Sequence, residues 1–336
     1  MRLATYNVEW FANLFDQNDQ LMEDDRWSGR QDVTRGQQSR ALGQVFQRVD
    51  ADAIMLIEAP NTGRKQNTVR ALEHFAGRFD LRTRKSVIGF ANDTQQEIAL
   101  LYDPDVIEVA HDPQGPAVGE TGQGSARFDG VFHIDLDVDA TQDKVVFSKP
   151  PLELAMLTKN GTALRLIGVH LKSKAPHGER TRDAQIRRSI ANRRKQLAQA
   201  IWLRRRVDEH LARNESVIVL GDLNDGPGLD EYEHLFGRSS VEIVLGEDLT
   251  DPHAGKLIAR RAGEVPTTAR FFNPEAKRFF QALLDYVMIS DDLMARRPAW
   301  RIWHPFDDVE CWNDAEFCDA LLTASDHFPV TLDIEI

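Results

Sequence analysis

The stretch "VIVLGDLNDGPG" (residues 217–228) runs from four apolar residues into a glycine and then into Asp222, Asn224 and Asp225. An apolar run of this length, bounded by a Gly-Pro turn, is typical of a buried strand. Asn-Gly alone would make the turn that follows, so the additional acid and amide groups require another explanation. The same kind of ending recurs along the chain, which indicates that several strands carry polar side chains to one place.

Apolar strands with polar ends recur from the first residues to the last. Taken singly, an aspartate at a strand end is usually a turn residue, and a histidine in an apolar strand usually belongs to the core. Glu58 is harder to explain in this way, because "AIMLIEAP" would bury its carboxylate among apolar side chains, and a buried charge requires a partner cation. The set comprises Asn7 and Glu9 in "YNVEW", Glu58, His170 and Lys172 in "VHLKS", Asp222 and Asn224, Asp285 in "LLDYV", and Asp326 and His327 in "SDHFPV".

The chemistry of this set points to a metal and a phosphate. Hard oxygen donors without a thiolate select Mg²⁺, Mn²⁺ or Ca²⁺ and disfavour structural zinc. Histidines that titrate near neutrality can transfer protons or stabilise developing charge. Together these groups suit displacement at phosphorus, where a metal neutralises the phosphate and hydrogen-bond donors stabilise the pentacovalent oxygens.

The chain of 336 residues is 42% hydrophobic and carries a net charge of −12, which argues against a general polyanion binder. Its charge is unevenly distributed, since eleven Lys/Arg and only two acids lie between Lys174 and Arg206. The segment "ERTRDAQIRRSIANRRKQLAQAIWLRRRVDEHL" has helical periodicity and predicts one long basic helix. Its cationic faces are either simply solvated or a surface that follows a phosphate backbone.

The organisation along the chain predicts a single domain over residues 1–336, since neither a linker nor a repeat is visible. No signal peptide and no apolar run of membrane-spanning length is seen, so we expect a cytoplasmic protein, with a monomer favoured. Cys311 and Cys318 are expected to be free thiols in that compartment, with a local disulfide as the alternative.

The order of the elements favours two packed sheets. Helices are predicted over 34–49 and 68–79, and a hairpin over 152–173 that turns at Asn160-Gly161. The segments 97–104 and 106–111 are predicted as paired strands. Because hairpins and strand–helix–strand units are mixed, two mixed sheets covered by helices fit better than one parallel sheet.

Six blocks carry a resemblance to a known family. They are "TYNVEW", "LIEAPN", "IGVHLKSK", "VLGDLND", "LDYVMIS" and "SDHFPV". In order and spacing they resemble the metal-dependent endonuclease/exonuclease/phosphatase superfamily, from residue 2 to residue 334. The resemblance implies an α+β fold, a four-layer α/β/β/α sandwich of two mixed sheets flanked by helices, with a site in a cleft at one edge. It also implies Mg²⁺ or Mn²⁺ as cofactor.

The resemblance implies a metal site in which Glu58 is the principal ligand. Asn7 and Glu9 would assist it, and Asp326 would bind the same or a second ion.

The resemblance also implies catalytic roles. Asp222 would orient or deprotonate the attacking water, and Asn224 would hold a phosphate oxygen. His327 would contact the scissile phosphate, with Asp285 fixing its ring and favouring its protonated form. His170 would lie across the phosphate, near the leaving oxygen.

Basic residues near these blocks are candidates for substrate binding. Lys172 and Lys174 follow His170 directly and are expected at the rim of the cleft, and Arg193 opens an Arg-x-x-Gln on the basic helix. For Arg193 and Gln196, a structural role that ties the helix to neighbouring loops is equally consistent with the sequence.

Three functions remain open. A nuclease that hydrolyses phosphodiesters of nucleic acid is favoured by the basic residues beside the cleft. A phosphomonoesterase or phosphodiesterase of small or lipid phosphates would use the same metal centre, and the acidic pI would be unremarkable. A catalytically silent binding module is disfavoured by the complete set of acid, amide and histidine groups. Trp27, Trp303 and Trp312 are candidates for base stacking, with packing in the core or loops as the alternative.

Overall fold

The protein is described by a computed structural model that covers residues 1–92, 94, 96–135, 143–175, 178, 181–227, 236–259, 265–273 and 277–336. Two six-stranded mixed sheets pack face to face, and helices cover their outer faces. The predicted α/β/β/α sandwich is therefore confirmed. Within these residues, no helix is both long and apolar enough to cross a membrane.

The first sheet has the strand order β15-β16-β1-β2-β4-β3. Strand β1 pairs in parallel with β2 and antiparallel with β16, and β2 pairs antiparallel with β4. The strands are β1 (Arg2–Asn7), β2 (Ala53–Ala59), β3 (Lys85–Ile88), β4 (Glu97–Tyr102), β15 (Ala299–Ile302) and β16 (Val330–Asp333).

The second sheet has the strand order β11-β14-β10-β9-β8-β5. Only β9 and β10 run parallel, and the predicted hairpin of β8 and β9 turns at Asn160-Gly161, where Gly161 has a φ of +83°. The strands are β5 (Ile107–His111), β8 (Leu152–Thr158), β9 (Ala163–His170), β10 (Val217–Asp222), β11 (Leu249–Thr250) and β14 (Asp285–Ser290). Two further hairpins stand apart from the sheets, β6 (Phe132–Ile134) with β7 (Asp143–Val145) and β12 (Ala269–Asn273) with β13 (Arg278–Ala282).

The predicted pairing of segments 97–104 and 106–111 is wrong. Strand β4 pairs with β2 and β3, whereas β5 pairs with β8 in the other sheet. The reason lies at Asp103, whose carboxylate accepts the N–H of Asp105 and whose carbonyl accepts those of Val106 and Ile107. This tight turn carries the chain across to the second sheet instead of folding it back on the first.

The inner faces of the two sheets form a continuous apolar core that includes Met55, Leu100, Leu166, Leu220 and Val287. Gly168 of β9 shows how closely the sheets approach, because a Cβ atom there would lie 2.3 Å from the Met55 sulfur on the opposite sheet. Close packing of this kind fixes the spacing between the sheets, and so the spacing between side chains at their ends.

Helices cover each sheet, among them the helices predicted over 34–49 and 68–79 and the predicted basic helix. Helix α1 begins with a capping box formed by Thr34 and Gln37. Cys311 and Cys318 are both free thiols. The helices are α1 (Arg35–Val49), α2 (Thr68–Arg78), α6 (Val309–Asn313) and α7 (Ala315–Ala324) on the first sheet, and α3 (Arg182–Leu211), α4 (Ser240–Leu245) and α5 (Pro252–Ile258) on the second.

Helix α3 is the predicted basic helix, and much of its charge points inward. Arg193 and Arg206 are buried, and Arg194 and Arg204 form ion pairs with Asp143 and with Asp208 and Asp248. Arg187 and Arg188, near its first turns, are exposed. The number of arginines suggested a positive surface along the whole helix. The positive surface that the structure shows is shorter than that.

Arg206 lies in a buried polar network that joins α3 to the second sheet. Its Nε atom is 3.3 Å from Glu153 of β8, and Nη2 donates to the carbonyl of Gln114 at 2.7 Å. His210 Nε2 makes a second contact to Glu153 at 2.9 Å. Removing one partner leaves the other charge buried and uncompensated, which is strongly destabilising.

We therefore expect Arg206→Met to lower the free energy of unfolding by about 3 kcal/mol, because it removes the guanidinium paired with the buried carboxylate of Glu153 and leaves that carboxylate with its contact to His210 and its hydrogen bond from the Gln114 N–H. Urea unfolding followed by circular dichroism measures this change. Arg297→Met is the matched control, since Arg297 is exposed and pairs only with the exposed Glu335. Equal, small changes for both variants would show that the network does not support the fold.

Candidate active site

Strand ends from both sheets meet at one edge of the sandwich. There, a cavity of about 900 Å³ opens between the sheets. The structure brings most of the predicted site residues to its wall: Asn7, Glu9, Glu58, His170, Lys172, Lys174, Asp222, Asn224, Asp326 and His327. Asp285 lies directly behind His327.

Asp222 occupies the centre of this edge. In the register of the second sheet it lies opposite His170 of β9 and Asp285 of β14. Its carboxylate accepts hydrogen bonds from Asn7 Nδ2 at 3.0 Å, from the Asn224 backbone N–H at 2.7 Å and from Asn224 Nδ2 at 3.1 Å. His170 Nε2 is 3.7 Å away. The carboxylate is thus fixed by donors from both sheets.

The sequence around Asp222 explains how the strand delivers it. Gly221 has a φ of +140°, and a Cβ atom there would lie 2.1 Å from the carbonyl oxygen of Val169. Only glycine fits so close to the neighbouring strand. Asn224 then adopts a φ of +51°, a conformation that asparagine tolerates better than most residues. The Gly-Asp-x-Asn sequence is therefore what this turn requires.

Asn224 was expected to hold a phosphate oxygen, but in the structure both hydrogens of its amide group are donated within the protein. One Nδ2 hydrogen is donated to the carbonyl of Leu171 at 3.1 Å and the other to Asp222. Both donors are thereby used within the protein. The structure places Asn224 as a residue that positions Asp222.

The environment of Asp222 raises its pKa to about 7, chiefly because the carboxyl is buried and also because Asp285 is nearby. The positive charge of His327 and the hydrogen bonds from Asn224 and Asn7 act in the opposite direction. A carboxyl with a pKa in this range can accept a proton from water and release it again near neutral pH.

His327 and Asp285 form a buried ion pair in which Nδ1 donates to the carboxylate at 2.7 Å. Thr268 Oγ1 donates to the same oxygen at 2.7 Å, which orients the carboxylate. Burial alone would lower the pKa of His327, but Asp285, Asp222 and Asp326 together raise it well above its usual value. The imidazolium is therefore held with its Nε2 on the cavity side, 4.0 Å from Asp326.

His170 lies on the opposite wall, beside a lysine that the sequence analysis did not identify. Lys149 Nζ is 3.1 Å from His170 Nδ1, and the lysine lines the cavity. Burial and the charges of Lys149 and His327 lower the pKa of His170 well below its usual value. Burial likewise lowers the pKa of Lys149, although Glu58 and Asp222 oppose this. The sequence feature that could have indicated Lys149 is its position in "FSKPP", directly before the buried strand β8.

The residues at the floor of the cavity fit an oxygen-liganded divalent cation. Glu58 lies at a bulge in β2, with a φ of +63°, where the register shifts between Ile57 and Ala59. Burial raises its pKa, as it does that of Asp326, which reaches about 7. The Oδ1 atom of Asn7 is buried without a hydrogen-bond partner among the described residues. Partly buried carboxylates that line the same cavity as an unpartnered amide oxygen are the kind of ligand set that Mg²⁺ or Mn²⁺ takes.

A second group of possible metal ligands lies close by. Ligand atoms of Asp222, Asp285 and His327 all lie within 4.8 Å of one another. The Asp222 oxygens already accept three N–H groups, and His327 donates to Asp285. We therefore regard the Glu58 side of the cavity as the better metal site.

Glu9 was expected to assist the metal, but the structure ties it elsewhere. One carboxylate oxygen forms an ion pair with Arg30, and the other accepts the indole N–H of Trp10 at 2.9 Å. Glu9 borders the cavity with both oxygens engaged. This ion pair joins residues 21 positions apart through a loop that has no readable motif, so the sequence did not reveal it.

The three predicted substrate-binding residues have different positions. Lys172 lines the cavity and is partly exposed. Lys174 lines it too, with its ammonium group paired to the buried Asp225. Arg193 is only 1% exposed, lies 3.7 Å from Asp225 and is not part of the described cavity wall. Of the two roles considered for Arg193, its burial favours the structural one.

The tryptophan candidates for base stacking do not line the described cavity wall. Trp303 is buried, and Trp27 and Trp312 are exposed elsewhere on the surface. Trp10 does line the cavity and is half-exposed, held by its hydrogen bond to Glu9. It follows "YNVE" directly, which places it beside Asn7.

Comparison with known proteins places this geometry in a family. The family model described as "Endonuclease/Exonuclease/phosphatase family" matches residues 4–327. No curated protein shows a significant match. Truncated TDP2 from Caenorhabditis elegans has a similar structure, with 15% identity, a TM-score of 0.51 and coverage of 100% of this chain and 97% of that chain.

An endonuclease/exonuclease/phosphatase family protein from Bacteroides thetaiotaomicron is 14% identical, with a TM-score of 0.51 and coverage of 99% and 96% of the two chains. A mannosyl-6-phosphatase from Bacteroides thetaiotaomicron VPI-5482 is 14% identical, with a TM-score of 0.49 and full coverage of both. The first two structures show a shared fold. With the family match over nearly the whole sequence, the chain belongs to the endonuclease/exonuclease/phosphatase family.

Proposed function

We propose that this protein is a divalent-metal-dependent nuclease that hydrolyses phosphodiester bonds of nucleic acid. The observation that carries the proposal is the arrangement around Asp222, a buried carboxylate flanked by His170 on one side and by the His327–Asp285 pair on the other. Members of this family are phosphoric ester hydrolases, so the chemistry at phosphorus follows from the family. The choice of nucleic acid as substrate is our inference.

A metal held by Glu58, Asn7 and Asp326 would act as a Lewis acid that neutralises the scissile phosphate. Asp222 orients a water molecule and accepts its proton as the new bond to phosphorus forms. His327, already protonated, donates a hydrogen bond from Nε2 to a non-bridging oxygen. Asp285 keeps the imidazolium ring in place.

The opposite wall serves the leaving oxygen. Burial keeps His170 neutral, so the positive charge on that side resides on Lys149, 3.1 Å from the ring. As the bond from phosphorus to the leaving oxygen breaks, the Lys149 ammonium stabilises the charge that develops there. The sequence analysis had placed His170 near the leaving oxygen and had given Lys149 no role.

Nucleic acid is supported by a cluster of cations at the rim. Burial lowers the pKa of Lys172, and the like charges of Lys195 and Arg188 lower it further, so the three charges act on one another. Lys195 and Arg188 are on the first half of α3, the part whose surface remains positive. Clustered cations beside a cleft attract a backbone of phosphates more strongly than a single phosphate.

The alternative is a small phosphate ester as substrate. Its support is the internal pairing of Arg193, Arg194, Arg204 and Arg206, which leaves a short basic surface on an acidic protein. Such an enzyme would use the same catalytic residues without a binding surface beyond the cavity.

For the metal, we expect Mn²⁺ or Mg²⁺ to raise the melting temperature of the wild-type protein. Binding to the native state alone adds about 2.7 kcal/mol of stability when the free ion is at 100 times its Kd. Glu58→Gln should abolish most of this rise in differential scanning fluorimetry. Glu108→Gln, which changes an exposed carboxylate on β5, is the matched control. A normal rise in the Glu58 variant would contradict the assigned site.

For the reaction, we expect metal-dependent cleavage of DNA or RNA and at least a ~10²-fold loss in kcat for Asp222→Asn, since general-base catalysis contributes about 10²–10⁴-fold. The measurement is turnover of plasmid DNA, single-stranded DNA, RNA, a chromogenic phosphodiester and a phosphomonoester, with metal or chelator. Release from the small esters alone would move the function to the alternative.

The controls for this assay test the basic rim. Nucleic acid turnover should fall steeply as the salt concentration rises. Lys172→Met should reduce the slope of a plot of the logarithm of kcat/KM against the logarithm of the salt concentration by about one. Lys159→Met is the matched variant, because Lys159 lies at the hairpin turn, at the other end of β9 from His170. An identical salt slope in wild type and both variants would mean that the rim does not contact the substrate.

A further inference from the structure

The segment "RFFNPEAKRFFQ" (residues 270–281) repeats Arg-Phe-Phe on the two strands of the β12–β13 hairpin. Phe271 lies opposite Phe280 and Phe272 opposite Phe279 in the antiparallel register. Directly opposed residues share a face, so each face of this hairpin presents a pair of phenylalanines. We call it the aromatic hairpin. The sequence analysis assigned it no role.

The aromatic hairpin is anchored to the candidate active site. The backbone N–H of Arg270 donates to the carbonyl of Asp326 at 2.7 Å, and that of Phe328 donates to the carbonyl of Thr268 at 2.7 Å. The Phe271 ring lies 5.5 Å from the ring of His327. Strand β13 also leads within three residues to Asp285. The position of the hairpin is therefore set by the same residues that hold the catalytic histidine.

The two faces of the hairpin border different spaces. Phe271 and Phe280 form part of the catalytic cavity wall. Phe272 and Phe279, whose rings contact each other at 5.3 Å, border a second cavity of about 630 Å³. The two cavities have Glu9, Phe271 and Asp326 in common, so a substrate could extend from one into the other.

The second cavity combines flat apolar surfaces with guanidinium groups. Phe272 is 40% exposed and Phe279 49% exposed, far more than phenylalanines of the core. Arg270 stacks on the Phe279 ring at 3.4 Å, and Arg30 lies across the cavity. The Nε atoms of both arginines are buried and have no hydrogen-bond partner among the described residues. A planar ring with polar edges would find both stacking surfaces and donors here.

The charges of this second cavity do not favour a phosphate as its occupant. Glu9, Asp32 and Asp326 contribute three carboxylates against the two guanidiniums of Arg30 and Arg270, so the cavity has no excess of positive charge. Three lysines, Lys149, Lys172 and Lys174, line the catalytic cavity instead. The phosphate therefore belongs in the catalytic cavity, and an uncharged ring in the second one. The volume lies within the usual range for a site that binds a small ligand.

We infer that the aromatic hairpin binds an unpaired nucleobase of the nucleotide next to the scissile phosphate, in the cavity lined by Phe272, Phe279 and Arg30. This rests on the proposed nuclease function. A base within a duplex is paired and stacked on both sides, so only a base in a single strand or one turned out of the duplex reaches this cavity. The enzyme is accordingly a nuclease that prefers single-stranded substrate.

The test uses the double variant Phe272→Ala/Phe279→Ala with an oligothymidylate and with bis-p-nitrophenyl phosphate. The measured quantity is kcat/KM for the oligothymidylate divided by kcat/KM for the small diester. We expect this ratio to fall at least about fivefold, because the loss of stacking of one base on an aromatic ring weakens binding by at least this factor. The variant Phe272→Trp/Phe279→Tyr should restore the ratio. Leu157→Ala removes an exposed apolar side chain near the far end of β8 and should leave the ratio unchanged.

A binding measurement in chelator separates stacking from catalysis. Fluorescence anisotropy should show that the wild-type protein binds an oligothymidylate at least about fivefold more tightly than an oligomer of equal length with abasic positions. The double alanine variant should bind the two equally. If the variant instead binds both oligomers more weakly by the same factor, its preference for bases is intact and the base site is overturned.

The outcomes distinguish this inference from the proposed function. If the wild type cleaves nucleic acid and the double alanine variant keeps the full ratio and the preference for bases, the base site is wrong while the nuclease stands. If the wild type hydrolyses only small esters, both fail. An equal loss on the oligothymidylate and the small diester would make the hairpin purely structural and overturn the base site.

Discussion

One hydrogen bond between the sheets organises the candidate site. Asn7 ends a strand of the first sheet and donates at 3.0 Å to Asp222, which ends a strand of the second. Both side chains are buried, so this bond forms where the alternative is an unpaired polar group without water. It fixes the distance between the strand ends, while the Gly168–Met55 contact fixes that between the sheets. In the proposed mechanism the remaining oxygen of Asn7 would bind the cation, so that Asn7 would link the metal site to the carboxylate of Asp222.

The electrostatics of the cavity follow from burial. The same desolvation that raises the pKa of Asp222 lowers that of His170, so the two pKa values are shifted in opposite directions. His327 is the exception, because three carboxylates surround it. One histidine is therefore kept neutral and the other protonated at the same pH. A proton acceptor and an electropositive group thus coexist within one cavity.

The fold and the residues of the site could largely be predicted because each lies at a strand end within a short motif. Local sequence encodes the strand, the turn and the side chain together, as in the glycine before Asp222. What the sequence did not show depended on partners distant in sequence. Burial of Arg193 and the pairing of Glu9 with Arg30 require loops whose course the sequence does not specify. The contacts of Asn224 could not be foreseen, because its two donors are used by neighbours that only the folded turn reveals.

The substrate is encoded differently, in surfaces that flank the cavity. The sequence of the aromatic hairpin resembles that of an ordinary pair of strands. Its position next to the candidate site becomes apparent only from its anchoring beside Asp326 and His327. Lys149 is similar, since a lysine before a buried strand becomes notable only when it lies against His170. Lys149 reaches His170 because β8 and β9 are neighbouring strands of the second sheet.

The central claim is that a water molecule held by Asp222 attacks phosphorus directly, without a covalent intermediate on either histidine. The stereochemistry at phosphorus tests it, using a phosphorothioate diester of known configuration hydrolysed in oxygen-18 water. A single in-line displacement inverts the configuration and places the labelled oxygen on phosphorus, which is the predicted result. Retention of configuration would require two displacements and a phosphorylated side chain, and would contradict the assignment of Asp222.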